Sequence, residues 1–255
     1  MTEPPSGRPR PTPAPGRESY MSRAFALSID GAVPLEFQHI DLRDRPDHPD
    51  NKFNLTVLPG ETIVAIGDED SGVGDLGRFA MGLLKPISGR AVIFGQAVAD
   101  LEYYDLLVFR RRLGYLQTGD GLLQNLTLRD NIALPLRYAS DHRAAAVDGR
   151  VAELIDEFDL KRVALLRPAQ ANEEDRRRCA LARAVALDPD LLVLEAPFDG
   201  LTQATAVELL GLANAREDGT ERSVLITVQD LAAALRPLVT RVVRVTEGLA
   251  VNDTI

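Results

Sequence analysis

Short apolar runs alternate with amphipathic segments along most of the chain. The runs at residues 63–66, 191–194 and 224–228 are almost entirely aliphatic, which is typical of strands buried on both faces of a parallel sheet. Other strands are predicted at residues 53–57, 91–94, 113–116 and 241–245, with two short ones between residues 24 and 42. Helical spacing predicts helices at residues 76–84, 104–112, 126–138, 147–159, 175–186, 207–215 and 231–235.

The order of these elements predicts the fold class. Strands alternate with helices at both ends of the chain and enclose a block of helices at about residues 118–188. This order indicates an α/β core with an inserted helical subdomain. We expect the domain to span residues 23–250, between a disordered, proline-rich tail at residues 1–22 and a short tail at residues 251–255.

A glycine-rich segment, Gly67–Asp75, follows the first aliphatic run and precedes a predicted helix. Gly67 and Gly72 have the G-x-x-x-x-G spacing of a phosphate-binding P-loop. In a P-loop the next residues are a lysine for the β- and γ-phosphates and a serine or threonine for Mg²⁺. Val73 and Gly74 occupy those places. The segment therefore has the frame of a phosphate loop without its cation or its hydroxyl.

Composition and charge exclude several classes of function. The chain has 255 residues, of which 45% are hydrophobic, and this suits one sizeable α/β domain or two small ones. A net charge of −9 argues against binding to nucleic acid or to anionic lipid. The single cysteine, Cys179, excludes an internal disulfide framework and a cysteine-based zinc cluster, and we expect it in the core. No apolar run approaches the roughly 18 residues of a membrane span and no signal peptide is recognised, so we expect a cytosolic protein.

The connecting segments carry a resemblance to a known family. Residues 82–89 read GLLKPISG, residues 131–137 read NIALPLR, and residues 179–189 read CALARAVALDP. At these spacings the chain resembles, over about residues 25–250, the ATP-binding cassette (ABC) family of transporter ATPases. Residues 131–137 are most similar to cassettes of lipid-trafficking importers of the MCE type. The resemblance implies a P-loop NTPase-like ABC core with an antiparallel β subdomain and an inserted helical subdomain.

The resemblance also assigns positions to a nucleotide site. Thr118 matches the Q-loop position, and Gln229 replaces the switch histidine. The positions that match the family's nucleotide site are Gly67, Asp68, Ser71, Gly72, Val73, Gly74, Asp75, Thr118 and Gln229. ATP and Mg²⁺ are the cofactors that the family implies. The departures from the motifs predict that this chain binds them weakly or not at all.

The resemblance places the altered Walker B motif at the end of the aliphatic run 191–194. Where the family has Asp-Glu-Pro, this chain has Glu195, Ala196 and Pro197. Glu195 is the one candidate metal ligand, one methylene longer than the usual aspartate. Ala196 replaces the general base and has no group that accepts a proton. We therefore predict no catalytic residue in this chain.

Residues 171–175, ANEED, match the family's signature Leu-Ser-Gly-Gly-Gln. Glu173 and Glu174 add bulk and negative charge where the family's glycines approach the γ-phosphate bound by the opposite subunit. A second interpretation is plain helix chemistry, with Asn172 as an N-cap before an acidic first turn. The acidic residues from Asp68 to Asp75 have the same two interpretations. In one of them Asp70 or Asp75 satisfies the N–H groups of the loop in place of phosphate.

Three functions fit these observations. The first is a catalytically inactive cassette subunit that docks on a membrane permease and pairs, as a homodimer or heterodimer, with a second cassette. It would lie at the inner face of the cell membrane and would not bind nucleic acid. The second is an ATP-hydrolysing transporter subunit with atypical motifs. The third is a non-transport scaffold or regulatory module on the same fold.

Overall fold

The computed structural model describes residues 32–42, 52–139, 144–246 and 249–253. The predicted tail at residues 1–22 and the polar stretch 43–51 lie outside the described residues. Ten strands are described: β1 (Leu35–Ile40), β2 (Phe53–Val57), β3 (Thr62–Ile66), β4 (Arg90–Ile93), β5 (Gln96–Ala97), β6 (Leu113–Leu116), β7 (Leu191–Glu195), β8 (Ser223–Val228), β9 (Arg241–Thr246) and β10 (Leu249–Asp253). Six α-helices are described: α1 (Leu76–Ala80), α2 (Tyr103–Arg110), α3 (Leu128–Ala139), α4 (Ala144–Glu157), α5 (Glu173–Val185) and α6 (Gln203–Asn214).

A six-stranded sheet forms the centre of the fold. Its strand order is β10-β9-β3-β8-β7-β6, and every neighbouring pair is parallel except β10 with β9. All five residues of β3 and all five of β7 are buried, as the continuous aliphatic runs predict. β10 was not predicted, and it extends beyond residue 250, where sequence analysis ended the domain.

A second, antiparallel sheet has the order β2-β1-β4-β5. In β1 and β2 buried positions largely alternate with more exposed ones, since one face packs inward and the other is closer to solvent. Phe37 and Phe53 meet on the buried face with ring centroids 5.7 Å apart. The antiparallel subdomain is confirmed.

Helices α3, α4 and α5 form the block inserted between β6 and β7. Their apolar faces meet in one cluster, in which Leu128, Ile132 and Leu154 are fully buried. Cys179 lies in the same cluster and donates a weak hydrogen bond from Sγ to the Leu128 carbonyl at 3.4 Å. Burial raises the pKa of the Cys179 thiol to about 12, so the thiol stays protonated and acts as a small apolar side chain. Its predicted core position is confirmed.

The helix after the glycine-rich segment differs from the prediction. A helix was expected at residues 76–84, but α1 has only five residues and follows two single 3-10 turns, Glu69–Ser71 and Val73–Asp75. Gly72 separates the two turns with φ of +80°, and Gly82 ends the segment with φ of +63°. The left-handed Gly82 lies within the expected range and stops a helix that side-chain spacing alone would continue to residue 84.

The predicted fold class is confirmed: an α/β core, an antiparallel sheet and an inserted helical block. Within the described ranges, no helix combines the length and the apolar character needed to cross a membrane.

Candidate nucleotide site

Parallel strands bring the predicted site residues to one edge of the sheet. The segments after β3, β6, β7 and β8 all leave the carboxyl ends of adjacent or nearby strands. Gly67, Thr118, Ala196 and Gln229 therefore share this edge, where ligands bind in open α/β sheets. Backbone bonds join the segments: the Gly67 N–H donates to the Val228 carbonyl at 3.0 Å, and the Ala196 N–H donates to the Thr227 carbonyl at 2.8 Å.

Ser71 fills the glycine-rich loop from within. Its side chain is 1% exposed, and its Oγ donates to the Asp68 carbonyl at 2.6 Å and accepts from the Val73 N–H at 3.2 Å. A Cβ placed on Gly67 would lie 2.2 Å from this Oγ, so the loop closes around Ser71 only because Gly67 has no side chain. The Ser71 and Asp75 N–H groups bond to the carbonyls of Asp68 and Gly72. Three N–H groups of the loop are thus used inside the loop.

The acidic side chains of the loop do not take this place. Asp68, Glu69 and Asp70 are exposed. Asp75 accepts from Arg78 Nη1 at 2.9 Å, one turn along. The expectation that Asp70 or Asp75 would satisfy the loop's N–H groups was wrong. Ser71 has a shorter side chain than aspartate, and its hydroxyl lies inside the loop, where it accepts from the Val73 N–H.

Glu195 is buried at the end of β7, with 5% of its surface exposed. Its Oε1 accepts from the Tyr115 hydroxyl at 2.6 Å, and its Oε2 accepts from the Thr118 N–H at 3.1 Å and Thr118 Oγ1 at 3.2 Å. Gly77 makes room for it, because a Cβ there would lie 2.5 Å from Oε1. Burial and the hydrogen bond to the carboxylate raise the pKa of Tyr115, so its hydroxyl remains a donor at neutral pH.

The two other catalytic positions have no acid or base. Ala196 follows Glu195 with φ of +44°, a strained value for a residue with a side chain, and presents only a methyl group. Gln229 is exposed at the end of β8 and has no proton equilibrium near neutrality.

A magnesium–nucleotide complex needs a different set of donors. The loop supplies no lysine and no hydroxyl for the metal, because Val73 and Gly74 stand at those positions and the Ser71 hydroxyl is bonded within the loop. Both oxygens of Glu195 already accept hydrogen bonds. In the described part of the chain, no group of three or more His, Cys, Asp or Glu side chains is arranged to hold a metal ion. These positions therefore lack the lysine and the metal-binding hydroxyl of the family's motif, and the Glu195 carboxylate is shared with Tyr115 and Thr118.

The segment that matches the signature begins α5. Asn172 Oδ1 accepts from the Asp175 N–H at 2.7 Å, so the predicted N-cap is confirmed. Glu173 is exposed. Its carboxylate lies beside Gly200 in the loop after β7, where an added Cβ would be 2.8 Å from Glu173 Oε1. Helix chemistry explains Asn172 and Asp175, and Glu173 keeps a negative charge at the helix start.

Sequence analysis missed the ion pairs that join α5 to α6. Arg178 is buried and donates to Glu174 on its own helix and, through both Nη atoms, to Glu208 of α6 at 2.8 and 3.0 Å. The i,i+4 spacing of Glu174 and Arg178 was a signal for one half of this arrangement. The pairing with Glu208 spans 30 positions and has no local signal.

Known protein families and solved structures were compared with this chain. The family model described as ABC transporter matches residues 51–199, more than half of the chain. The chain belongs to the ABC transporter family. Among relatives, the methionine import ATP-binding protein MetN of Xanthomonas euvesicatoria pv. vesicatoria is 35% identical over 205 residues, 79% of this cassette and 56% of that protein. The sulfate/thiosulfate import ATP-binding protein CysA 1 of Agrobacterium fabrum is 32% identical over 78% of this cassette and 56% of its own length.

Solved structures agree on the fold of this cassette. A dimeric post-hydrolysis state of the ATP-binding cassette MJ0796 bound to ADP and Pi superposes with a TM-score of 0.74 at 21% identity, covering 86% of this cassette and 98% of that chain. The structure of cbiO1 from Clostridium perfringens superposes with a TM-score of 0.71 at 16% identity, covering 86% of this cassette and 87% of that chain. The cassette spans about half the length of the curated relatives that it matches.

The Arg178–Glu208 pair predicts how the stability of this ABC cassette depends on pH. The Arg178 guanidinium lowers the pKa of Glu208 below its ordinary value of 4.5. A lowered carboxyl pKa adds stability above the unfolded-state pKa, and that stability is lost as pH falls through the folded-state pKa. Because the Glu208 side chain is 49% exposed, we expect Glu208→Gln to cost only about 1 kcal/mol at pH 7.

Urea unfolding of both proteins at pH 7, 5 and 4 measures this cost. The difference between them should be present at pH 7 and shrink below about pH 4.5. Glu157→Gln, at an exposed position of α4, is the matched control and should leave the pH profile unchanged. A cost for Glu208→Gln that stays constant down to pH 4 contradicts the assignment.

Proposed function

We propose that this chain is a catalytically inactive cassette subunit of an ABC transporter, docked on a membrane permease at the inner face of the membrane and paired with a second cassette. One observation carries the proposal. The loop that would hold phosphate contains the chain's own Ser71 side chain and has Val73 in place of the lysine.

The loop predicts weak or absent nucleotide binding. A lysine contact to phosphate is a charge-assisted bond of about 1.5–3 kcal/mol, and Val73 forfeits it. A carboxylate about 5 Å from a phosphate charge adds a repulsion of roughly 3 kcal/mol at an effective dielectric near 20. Asp68, Glu69 and Asp70 are exposed on the same loop, so solvent and salt screen their charge and each adds less than this value. These effects act together against Mg-ATP.

The catalytic positions predict loss of hydrolysis independently of binding. A positioned general base contributes about 10²–10⁴ in rate, and the methyl group of Ala196 contributes none. Gln229 stands in place of the switch histidine, and its side chain does not gain or lose a proton near neutral pH. Even a nucleotide that reached the site would lack the group that activates water.

The transport role is inferred from the relatives and from one exposed surface. The relatives named above are import ATP-binding proteins, and the likeness covers most of this chain. Around a cavity of about 410 Å³, lined in part by Leu83 and Leu106, apolar side chains are left exposed. Leu83 in the cavity lining is 54% exposed. On α2, which contributes Leu106 to the lining, Tyr103 and Leu107 lie outside the lining and are 67% and 40% exposed. We assign this surface to the permease.

A non-transport scaffold is the second candidate. Ser71 and Glu195 have hydrogen-bond partners within the chain, so these two side chains do not need a bound ligand to satisfy their polar atoms. This property suits a scaffold and an inactive transporter subunit alike. The experiment on the assembled complex below separates the two candidates.

We predict that the purified chain hydrolyses ATP no faster than buffer, because Val73, Ala196 and Gln229 remove three separate contributions. Phosphate release at millimolar Mg-ATP measures this. Gly74→Glu is the matched variant: no atom lies within 4 Å of a Cβ at Gly74, so the change adds charge to the loop without a clash. Turnover that Gly74→Glu abolishes would show that this loop is an active ATPase site and would refute the proposal.

The second prediction concerns the partner cassette. Glu173 faces outward at the start of α5, whereas Glu174 is needed by Arg178. The double change Asn172→Ser and Glu173→Gly restores two signature residues and keeps both the N-cap and the Glu174–Arg178 pair. We expect it to raise the ATPase rate of the complex assembled with the permease and an intact cassette, because it removes a charge that repels γ-phosphate.

The control for the assembled complex is Gly149→Ala on α4, where no atom lies within 4 Å of the added Cβ. If the complex forms and the double change leaves its rate unmoved, this end of α5 does not face a working site. The scaffold interpretation then replaces the transport one.

A further inference from the structure

We propose that Glu195 is a hydrogen-bond clamp that fixes the loop joining the parallel sheet to the helical block. The family's cassettes carry their magnesium-binding acid at this position, and here the carboxylate has a structural task instead. The inference rests on the contacts of this chain and holds whether or not the chain works in a transporter.

The loop in question is the entry to the helical block. Residues 117–127 lead from the end of β6 to the start of α3. The exit is short, because α5 ends at Val185 and β7 begins at Leu191. Whatever holds residues 117–127 therefore limits movement of the helical block relative to the sheet.

Glu195 holds this loop from the side of the sheet. Its Oε2 receives both the N–H and the hydroxyl of Thr118, and its Oε1 receives the Tyr115 hydroxyl. The carboxylate thus bonds to Tyr115 near the end of strand β6 and to Thr118, two residues after the strand. Hydrogen bonds to a buried ionised group are stronger than those between neutral groups.

Arginines of α5 hold the same loop from the other side. Arg177 Nη1 donates to the Gly119 carbonyl at 3.0 Å. Arg183 donates to the carbonyls of Gly121 at 2.8 Å and Asp120 at 3.1 Å. Arg176 Nε donates to Asp120 Oδ2 at 3.0 Å. Every residue from 118 to 121 is bonded to Glu195 or to one of these arginines.

The length of the side chain matters for the clamp. Aspartate is one methylene shorter, and a C–C bond of about 1.5 Å is enough to lose contact with Thr118 on the neighbouring segment. Gly77 is the complementary adaptation, since any larger residue of α1 would displace the Glu195 carboxylate. Glutamate at 195 and glycine at 77 together permit a carboxylate that reaches sideways along the sheet edge.

Hydrogen–deuterium exchange of the peptide covering residues 117–127 tests the clamp in the full chain. The peptide covering α6 serves as an internal reference for global stability. Glu195→Ala removes all the contacts, and we expect exchange of residues 117–127 to become at least about tenfold faster, as the loss of a bond to a charged group implies. Glu195→Gln should stay within about threefold of wild type, because the Tyr115 hydroxyl can accept from the amide while the amide oxygen keeps Thr118.

The glutamine variant separates the clamp from a metal role. Its carboxamide can still form the hydrogen bonds of the clamp, but it cannot act as an ionised magnesium ligand. Exchange that is unchanged in Glu195→Ala overturns the proposal, as does exchange in Glu195→Gln as fast as in Glu195→Ala. Protection of the wild-type loop that appears only with millimolar magnesium also overturns it.

If Glu195→Ala fails to fold, Tyr115→Phe with Thr118→Ala removes two of the three donors. Faster exchange in this double variant supports the clamp, and unchanged exchange refutes it.

Discussion

Polar groups at the buried edge of a parallel sheet must find hydrogen-bond partners, and this chain supplies them from its own side chains. Ser71 closes the loop after β3, and Glu195 gathers the donors of Tyr115 and Thr118. An unsatisfied buried donor or acceptor costs about 1–3 kcal/mol, so these bonds stabilise the folded state where a ligand would otherwise be needed. In the function that we propose, the same bonds compete with any contact to a nucleotide.

Charge reinforces the effect of this geometry. The loop after β3 exposes Asp68, Glu69 and Asp70, and the start of α5 exposes Glu173. Both surfaces therefore carry negative charge at positions that match the family's phosphate-facing motifs. The framework that packs behind them is unaltered, as the fully buried β3 and β7 show. We propose that the cassette fold persists here without the ATPase chemistry of the family's motifs.

Local signals predicted the parts of the structure that depend on nearby residues. The aliphatic strands β7 and β8 and the N-cap at Asn172 follow from short patterns. Ser71 escaped prediction because a serine inside a glycine-rich loop has no pattern that tells inward from outward. Tyr115 and Glu195 are 80 positions apart in the sequence, and Arg183 and Asp120 are 63 positions apart. Such contacts depend on the tertiary fold, which a single sequence does not specify at side-chain level.

We propose that side chains of the chain itself satisfy the polar groups at the site edge and that the edge does not take up nucleotide. An equilibrium titration of the full chain with Mg-ATP tests it most directly, with a relative that has an intact P-loop lysine as the positive control. A loss of about 4 kcal/mol moves a micromolar site to the millimolar range. We therefore predict no saturable binding up to about 1 mM Mg-ATP. Saturable micromolar binding, weakened by Gly74→Glu, would contradict the account.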